Sequence, residues 1–162
     1  MKELVLIACY WLHLAVTTMW VGGIFFILFI LMPSSRQVFG AGAGAGKLMG
    51  DVSMRFAPLV NYGILLLVVT GVVLASMSRQ FTGTGALENR WTALLMPKVV
   101  LALVMIGVHF YRGLILAPRI KRAPEAKKAA LQRLSLNLVH VNLALGLLVL
   151  LLSGALSVYR GY

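Results

Sequence analysis

The sequence predicts an all-α integral membrane protein, a bundle of four transmembrane helices in one domain spanning residues 1–162. The first observation is composition, because the chain is 60% hydrophobic with a mean hydropathy of +0.93, whereas soluble domains are roughly 45–50% apolar. The second is that four segments reach the roughly 20 residues that cross a bilayer core. They cover about 4–32, 56–77, 91–117 and 134–158, which leaves no room for a soluble catalytic domain.

The first segment contains no Lys, Arg, Asp or Glu between Leu4 and Pro33. It is longer than the apolar region of a signal peptide and lacks a small-residue cleavage site, so we predict a retained first helix. Cys9 is the single cysteine of the chain. An intrachain disulfide is therefore excluded, and we expect a small buried residue there.

The second and fourth segments carry no charge, and the third contains Lys98 in the half that we predict to lie on the outer side. Between the first two segments, "GAGAGAGK" (40–47) superficially resembles a phosphate-binding loop. That motif needs Gly, four residues and then Gly-Lys-Ser/Thr, but Ala41 replaces its first glycine and Leu48 its hydroxyl residue. We therefore predict a flexible loop.

The net charge of +11 is distributed unevenly, which favours a membrane protein over a nucleic-acid-binding one. An excess of Lys and Arg marks cytoplasmic loops, and anionic lipid headgroups attract such segments. We therefore predict that loops 33–55 and 118–133 are cytoplasmic and that both termini lie outside the bacterial inner membrane. The first loop has Arg36, Lys47 and Arg55; the second connection has Arg112, Arg119, Lys121, Arg122, Lys127, Lys128 and Arg133; the opposite side has Lys2, Arg79, Arg90 and Arg160.

Three histidines, His13, His109 and His140, all lie within predicted spanning helices, and the chain has no others. Burying a polar group without a hydrogen bond costs roughly 2–7 kcal/mol, so each imidazole needs a partner. One interpretation is bonding to a neighbouring helix, with Asn61, Asn137 or Thr17 as candidates. The other is a functional site, because ionisable groups inside a membrane usually mark one.

Helix rise, about 1.5 Å per residue, predicts the depth of these groups. His109 and His140 should lie at similar depth on neighbouring helices, which suits two axial ligands of one haem or two ligands of a copper ion. His13 and Lys98 should share the outer half of the membrane. Lys98 and Met105 project from the same face of the third helix as His109. We predict that the four acidic residues lie in loops or at the extreme N-terminus, so Lys98 either pairs with an anionic guest or extends to the outer headgroups.

"HLAVTTMWVGGIFF" (13–26) resembles the first-helix motif of the CopD/HemJ superfamily of four-helix membrane proteins, and the resemblance continues through all four helices. "RFAPLVNYGILLLVVTGVVLA" (55–75), "PKVVLALVMIGVHFY" (97–111) and "HVNLALGLLVLLLSGAL" (140–156) resemble its second, third and fourth helices. The matching site positions are His13, Trp20, Gly23, Phe25, Phe26, Lys98 and His109.

The resemblance implies two alternative activities. HemJ members are protoporphyrinogen oxidases that bind b-type haem and use an essential His and Lys, roles that His13 and Lys98 would carry. CopD members are linked to copper uptake or resistance. The sequence departs from HemJ at two places. The Pro-Arg expected after the first-helix aromatics is missing, which disfavours porphyrinogen oxidation, and His140 is additional, which favours an added haem or metal ligand.

We therefore predict a haem b membrane protein that transfers electrons or oxidises a tetrapyrrole or quinol, with CopD-like copper transport or resistance as the alternative. A third interpretation is a structural subunit whose histidines only pack. The predicted partners are the lipid bilayer, a quinone or tetrapyrrole, a redox protein and a second copy of the chain, without nucleic acid. The candidate cofactor-binding residues are His13, Trp20, Gly23, Lys98, Met105, His109 and His140; among them His13, His109 and His140 are candidate metal ligands, and Lys98 and His13 candidate catalytic groups.

Overall fold

The computed structural model describes residues 1–40, 43–78 and 90–158. All regular structure in these ranges is helical, and four helical stretches are long and apolar enough to cross a membrane: Lys2–Phe39, Gly44–Ser76, Arg90–Arg122 and Glu125–Val158. The predicted fold class, all-α with four transmembrane helices, is confirmed. The chain divides into two compact units, Met1–Ser78 and Arg79–Tyr162. The single domain over 1–162 stays a prediction.

The first unit is a helical hairpin. Helix α1 (Lys2–Phe26) continues through a π-helical segment (Ile27–Leu31) into the short helix α2 (Met32–Phe39), and α3 (Ala43–Ser76) returns along α1. Gly40, whose φ is +65°, follows α2. This left-handed backbone favours glycine, and it ends the helix before the chain reverses.

The second unit has the same order of elements. Helix α4 (Arg90–Phe110) passes through a π-helical segment (Tyr111–Leu116) into the short helix α5 (Ala117–Arg122), and α6 (Glu125–Val158) packs back on α4. Glu125 lies in the first turn of α6 and pairs with Lys128 at 2.9 Å. A carboxylate in that position favours the helix N-terminus.

Both π-helical segments end two residues before a proline. Pro33 and Pro118 occupy the first turns of α2 and α5. A proline inside a continuous helix lacks the N–H of one hydrogen bond and its ring crowds the carbonyl four residues earlier. Local π-helical widening accommodates this defect within a membrane helix. The chain therefore stays helical across both prolines.

Four predicted helix boundaries are wrong. The first and third helical stretches continue to Phe39 and Arg122, past the predicted ends near residues 32 and 117. The second predicted helix begins near residue 56 but α3 begins at Ala43, and the fourth begins near 134 but α6 begins at Glu125. The predicted flexible loop over 40–47 is therefore helical from Ala43 onward, while residues 41–42 lie outside the described residues. Extending an existing helix adds one backbone hydrogen bond per residue, and alanine is the best helix former. The extension is thus favourable beyond the apolar core.

The position of Arg112 also differs from the prediction. It was expected in a basic connection, but it lies in the π-helical segment that continues α4. Arg79 and Arg160 of the predicted charge pattern, and the acidic residue Glu88, are outside the described residues.

Candidate functional site

His13 bridges the two long helices of the first unit. Its half-buried ring projects from α1, and Nδ1 lies 2.8 Å from the Oγ1 of Thr70 on α3. Thr70 is only 3% exposed, and its hydroxyl donates to the Leu66 carbonyl oxygen at 2.6 Å. The imidazole is therefore held by a side chain that is itself anchored to the backbone of α3.

Thr17 is one of the predicted hydrogen-bond partners of a membrane histidine. In the structure it bonds to the main chain of His13. The Thr17 hydroxyl donates to the main-chain oxygen of His13 at 2.7 Å. This bond stays within α1, because a threonine hydroxyl readily reaches the carbonyl four residues earlier. The ring itself is oriented from α3.

Glycines let α1 and α3 approach closely around His13. A Cβ added at Gly71 would lie 3.4 Å from the Cε1 of His13, and one at Gly63 would lie 2.8 Å from the Cγ1 of Val16. A Cβ at Gly23 would overlap the ring of Phe56. Gly23 was predicted to admit a cofactor, and in the structure its open face is filled by that ring. Small residues at helix contacts commonly serve such packing.

Trp20 lies two turns after His13 on the same side of α1, and it is buried. This agrees with the seven-residue spacing that placed the two on one face, since seven residues make nearly two turns of a helix. Trp20 and His13 are aromatic side chains on this side of α1. The other buried residues of α1 are aliphatic: Val16, Val21 and Ile24.

In the second unit, Lys98 belongs to a seven-residue series along α4. Trp91 and Met105 are buried members of this series, and Lys98 and Arg112 are half-buried. No hydrogen bond or ion pair joins Lys98 to another residue that the structure describes. Lys98 therefore brings a cation into a spanning segment where no described carboxylate pairs with it.

The matching series on α6 is Ser135, Asn142, Val149 and Leu156. Arg112 Nε donates to Ser135 Oγ at 3.3 Å, which sets the register of the antiparallel pair. Equal seven-residue steps along the two helices then place Met105 opposite Asn142 and Lys98 opposite Val149. We call these facing residues the α4–α6 seam.

Asn142 is an unusual member of this seam. It is 3% exposed, and its Oδ1 has no hydrogen-bond partner among the residues that the structure describes. Met105, also 3% exposed, is the residue that this register places opposite it. A buried amide oxygen without a partner costs free energy of folding. At this level the seam therefore brings together two potential metal donors, the thioether sulfur of Met105 and the unsatisfied Oδ1 of Asn142.

His109 and His140 differ in their surroundings. His109 is half-buried, and its ring meets that of Phe110 edge-on, with centroids 5.4 Å apart. His140 is exposed, and its Nδ1 lies 3.0 Å from the Leu136 carbonyl oxygen of its own helix. His140 precedes the seam residue Asn142 by two positions and so projects from a different side of α6. Joint ligation by His109 and His140 stays a prediction.

The side chains that could bind a metal ion occur singly or in pairs in the described ranges. No cluster of three or more His, Cys, Asp or Glu side chains is present in 1–40, 43–78 and 90–158. An ion held by these residues would therefore need one or two imidazoles supplemented by thioether or oxygen donors. Methionine sulfur with histidine nitrogen is a set that suits copper(I).

His13 and Lys98 hold equivalent places in the two units. Each lies on the first long helix of its unit and precedes the proline that follows the π-helical segment, Pro33 or Pro118, by 20 residues. Thirteen residues before the same prolines stand the buried Trp20 and Met105. The two ionisable groups singled out from the sequence thus occupy one position of a repeated architecture.

Sequence reasoning missed Thr70, Asn142 and the contact between Arg112 and Ser135. Thr70 is 57 positions from His13, so no local pattern relates them. A hairpin reversing near Gly40 would have brought residues close to 70 opposite residue 13, and this is the signal that was available. Asn142 could have been found from its seven-residue spacing to Ser135.

Comparison with known families gives one match. The sequence pattern of CopD, copper resistance protein D, matches residues 50–156, which is about two thirds of the chain. The matched range contains Thr70, Lys98, Met105, His109 and His140, whereas His13 precedes it. Neither the curated proteins nor the solved structures yielded a match.

Proposed function

Because this chain belongs to the CopD, copper resistance protein D, family, we propose that it binds copper ions within the membrane and passes them across it. The imidazoles of His13, His109 and His140 and the thioether of Met105 are the proposed donors. The observation that carries the proposal is the His13 imidazole, oriented inside an apolar span by its hydrogen bond with Thr70 of a second helix. Metal-binding histidines are typically oriented in this way through their other ring nitrogen.

The donor types favour copper over harder cations. Copper(I) prefers thioether and imidazole, whereas Mg²⁺ and Ca²⁺ prefer carboxylate oxygens. The described spans offer His and Met side chains. Of the described acidic residues, Glu3 and Glu125 lie in the first turns of α1 and α6, and Asp51 lies in the part of α3 that precedes the predicted apolar span. Copper is here the cargo, so modest affinity at several separated donors is more useful than one closed site.

Copper content of the purified protein tests this function. The full chain in detergent is loaded with copper(I), freed of unbound metal and analysed for copper and for visible absorption. We expect bound copper that decreases in His13→Gln and in His140→Gln. Asn137→Gln, at an exposed polar position of α6, is the matched control and should bind copper like the wild type. Equal copper in all four proteins, or none in the wild type, would contradict the proposal.

Haem b binding with electron transfer or tetrapyrrole or quinol oxidation is the second candidate, and Lys98 is the observation that favours it. A half-buried ammonium without a described partner suits an anionic guest, such as a haem propionate or a reduced quinone oxygen. His140 would also suit a haem-iron ligand, because its Nδ1 is directed to a carbonyl oxygen. With haem bound, the iron would supply one-electron chemistry, and His109 and His140 would hold it. A haem Soret band in the same purified protein, lost in His140→Gln, would support this candidate over copper.

A further inference from the structure

We infer that Thr70 is a positioning residue that fixes the tautomer of His13, so that Nδ1 carries the proton and Nε2 carries the lone pair. The inference rests on the proposed function only where it makes Nε2 the copper-binding nitrogen. The tautomer itself follows from the hydrogen-bond geometry and is tested without metal.

The argument begins with the single proton of the Thr70 hydroxyl. Thr70 Oγ1 lies 2.6 Å from the Leu66 carbonyl oxygen and 2.8 Å from His13 Nδ1. A separation of 2.6 Å is typical of an O–H···O hydrogen bond. Two oxygens that close without a proton between them would repel each other, so the hydroxyl proton lies on the Leu66 side.

The direction of the second bond follows. With its proton directed to Leu66, Thr70 Oγ1 offers His13 only a lone pair, because a hydroxyl has one donor and two acceptor sites. His13 Nδ1 must therefore donate. In a neutral imidazole one nitrogen donates and the other accepts, which leaves the lone pair on Nε2.

The surroundings hold the ring in this orientation. Thr70 is nearly fully buried, and its rotation is restricted by the bond to Leu66. The neighbouring Gly71 has no side chain, and the Cε1 edge of the His13 ring lies against the place where a Cβ would stand. The Cε1 edge of the ring therefore lies against α3 at Gly71, and Nδ1 is directed to Thr70.

His140 provides an internal reference for the same tautomer. Its Nδ1 lies 3.0 Å from a carbonyl oxygen, which can only accept, so this nitrogen must also donate. The hydrogen bond made by one ring nitrogen decides which nitrogen binds a metal. Two membrane histidines thus use different acceptors, a hydroxyl and a carbonyl, to direct the proton to Nδ1 and leave the lone pair on Nε2.

The first test is ¹⁵N NMR of metal-free protein with labelled histidine, which distinguishes protonated from unprotonated ring nitrogens. The chain has three histidines, so the His13→Gln variant assigns the His13 signals. We expect Nδ1 to be protonated and Nε2 unprotonated in the wild type. A wild-type His13 with protonated Nε2 and unprotonated Nδ1 would overturn the inference, whatever the protein binds.

Variants of two threonines separate positioning from general packing. Thr70→Val should remove the preference for protonated Nδ1 and weaken copper binding about tenfold, since loss of such orienting partners costs about 10–100-fold in metal affinity. Thr70→Ser should restore both properties. Thr17→Val removes a hydroxyl that bonds only to the His13 backbone and should leave the tautomer unchanged. If the Thr70→Val tautomer matches the wild type, Thr70 has no positioning role.

The same measurements distinguish this inference from the proposed function. A protonated Nδ1 in a protein that binds no copper would leave the Thr70 relationship intact and would refute the copper proposal. Copper binding that is insensitive to Thr70→Val would support copper handling and contradict the role given to Nε2 of His13.

Discussion

Arg112 and Ser135 set the register of the second helical hairpin, because Arg112 Nε donates to Ser135 Oγ across the antiparallel pair at 3.3 Å. Two helix turns further along each helix, the same register places Met105 opposite Asn142. The amide of Asn142 is therefore buried on a stripe where Val149 and Leu156 follow at equal spacing. A polar residue in such a series opposes stability and invites a functional explanation.

Replacing Asn142 by leucine should stabilise the hairpin. The Oδ1 of Asn142 has no partner among the described residues, and an unsatisfied buried polar group costs about 1–3 kcal/mol. We expect Asn142→Leu to raise the thermal unfolding temperature of the detergent-solubilised protein. Val149→Asn places an amide at the next position of the same series and should lower it.

The same pair of variants indicates whether Asn142 acts in function. If copper content decreases in Asn142→Leu while its unfolding temperature rises, the residue contributes an oxygen donor at the cost of stability. A lower unfolding temperature in Asn142→Leu would mean that the amide is satisfied in the membrane, and the interpretation of the Asn142 level as an unsatisfied site would be wrong.

Two adjacent glycines should respond differently to alanine. A Cβ at Gly23 would overlap the Phe56 ring, whereas a Cβ at Gly22 meets no atom within 4 Å. Overpacking typically costs 1–3 kcal/mol, and alanine is favoured over glycine in a helix by up to about 1 kcal/mol. Gly23→Ala should therefore lower the unfolding temperature, and Gly22→Ala should leave it equal or higher. Similar destabilisation by both would contradict the described α1–α3 packing.

The class of fold was predictable because apolar segment length and the absence of charge are properties of each segment alone. The beginnings of α3 and α6 were not, since a helix that leaves the bilayer core continues wherever helix-forming residues follow. Ala43 and Glu125 begin helices inside stretches that hydropathy marks as connections. The change from apolar to polar residues shows where the membrane-spanning part of a segment ends. The helix itself continues beyond that point, so its end is not predicted by polarity.

The candidate site was predictable in its residue types and less so in its contacts. The spacing of Lys98 and Met105 on one side of α4 follows from helix periodicity. The partner of His13 depended on how α3 returns past α1, and a shift of one residue along α3 would turn Thr70 away by about 100°. The choice between Thr17 and Thr70 therefore required the tertiary register.

Orientation in the membrane can be tested with single cysteines in a Cys9→Ser background. The Lys and Arg excess predicts that Lys47 and Ala126 face the cytoplasm and that Lys2 lies outside. All three side chains are exposed. In intact cells an impermeant thiol reagent should label Lys2→Cys and spare Lys47→Cys and Ala126→Cys, while permeabilised cells should label all three. The reverse labelling pattern would invert the predicted topology.

Replacing Lys98 distinguishes a functional role from a stabilising one, because we expect activity to decrease while the unfolding temperature stays equal or rises. A lysine inside a spanning helix costs up to about 2.5–3.5 kcal/mol on insertion scales, the value for the helix centre, and no described residue compensates Lys98 by a hydrogen bond or ion pair. Lys98→Met keeps a long side chain and removes the charge. We expect an equal or higher unfolding temperature together with loss of most copper tolerance in cells, or of haem if haem is bound. Lys98→Arg, which keeps the charge, should retain part of the activity. If Lys98→Met matches the wild type in copper tolerance, copper content and haem content, the ammonium extends to the headgroups and has no role at the site.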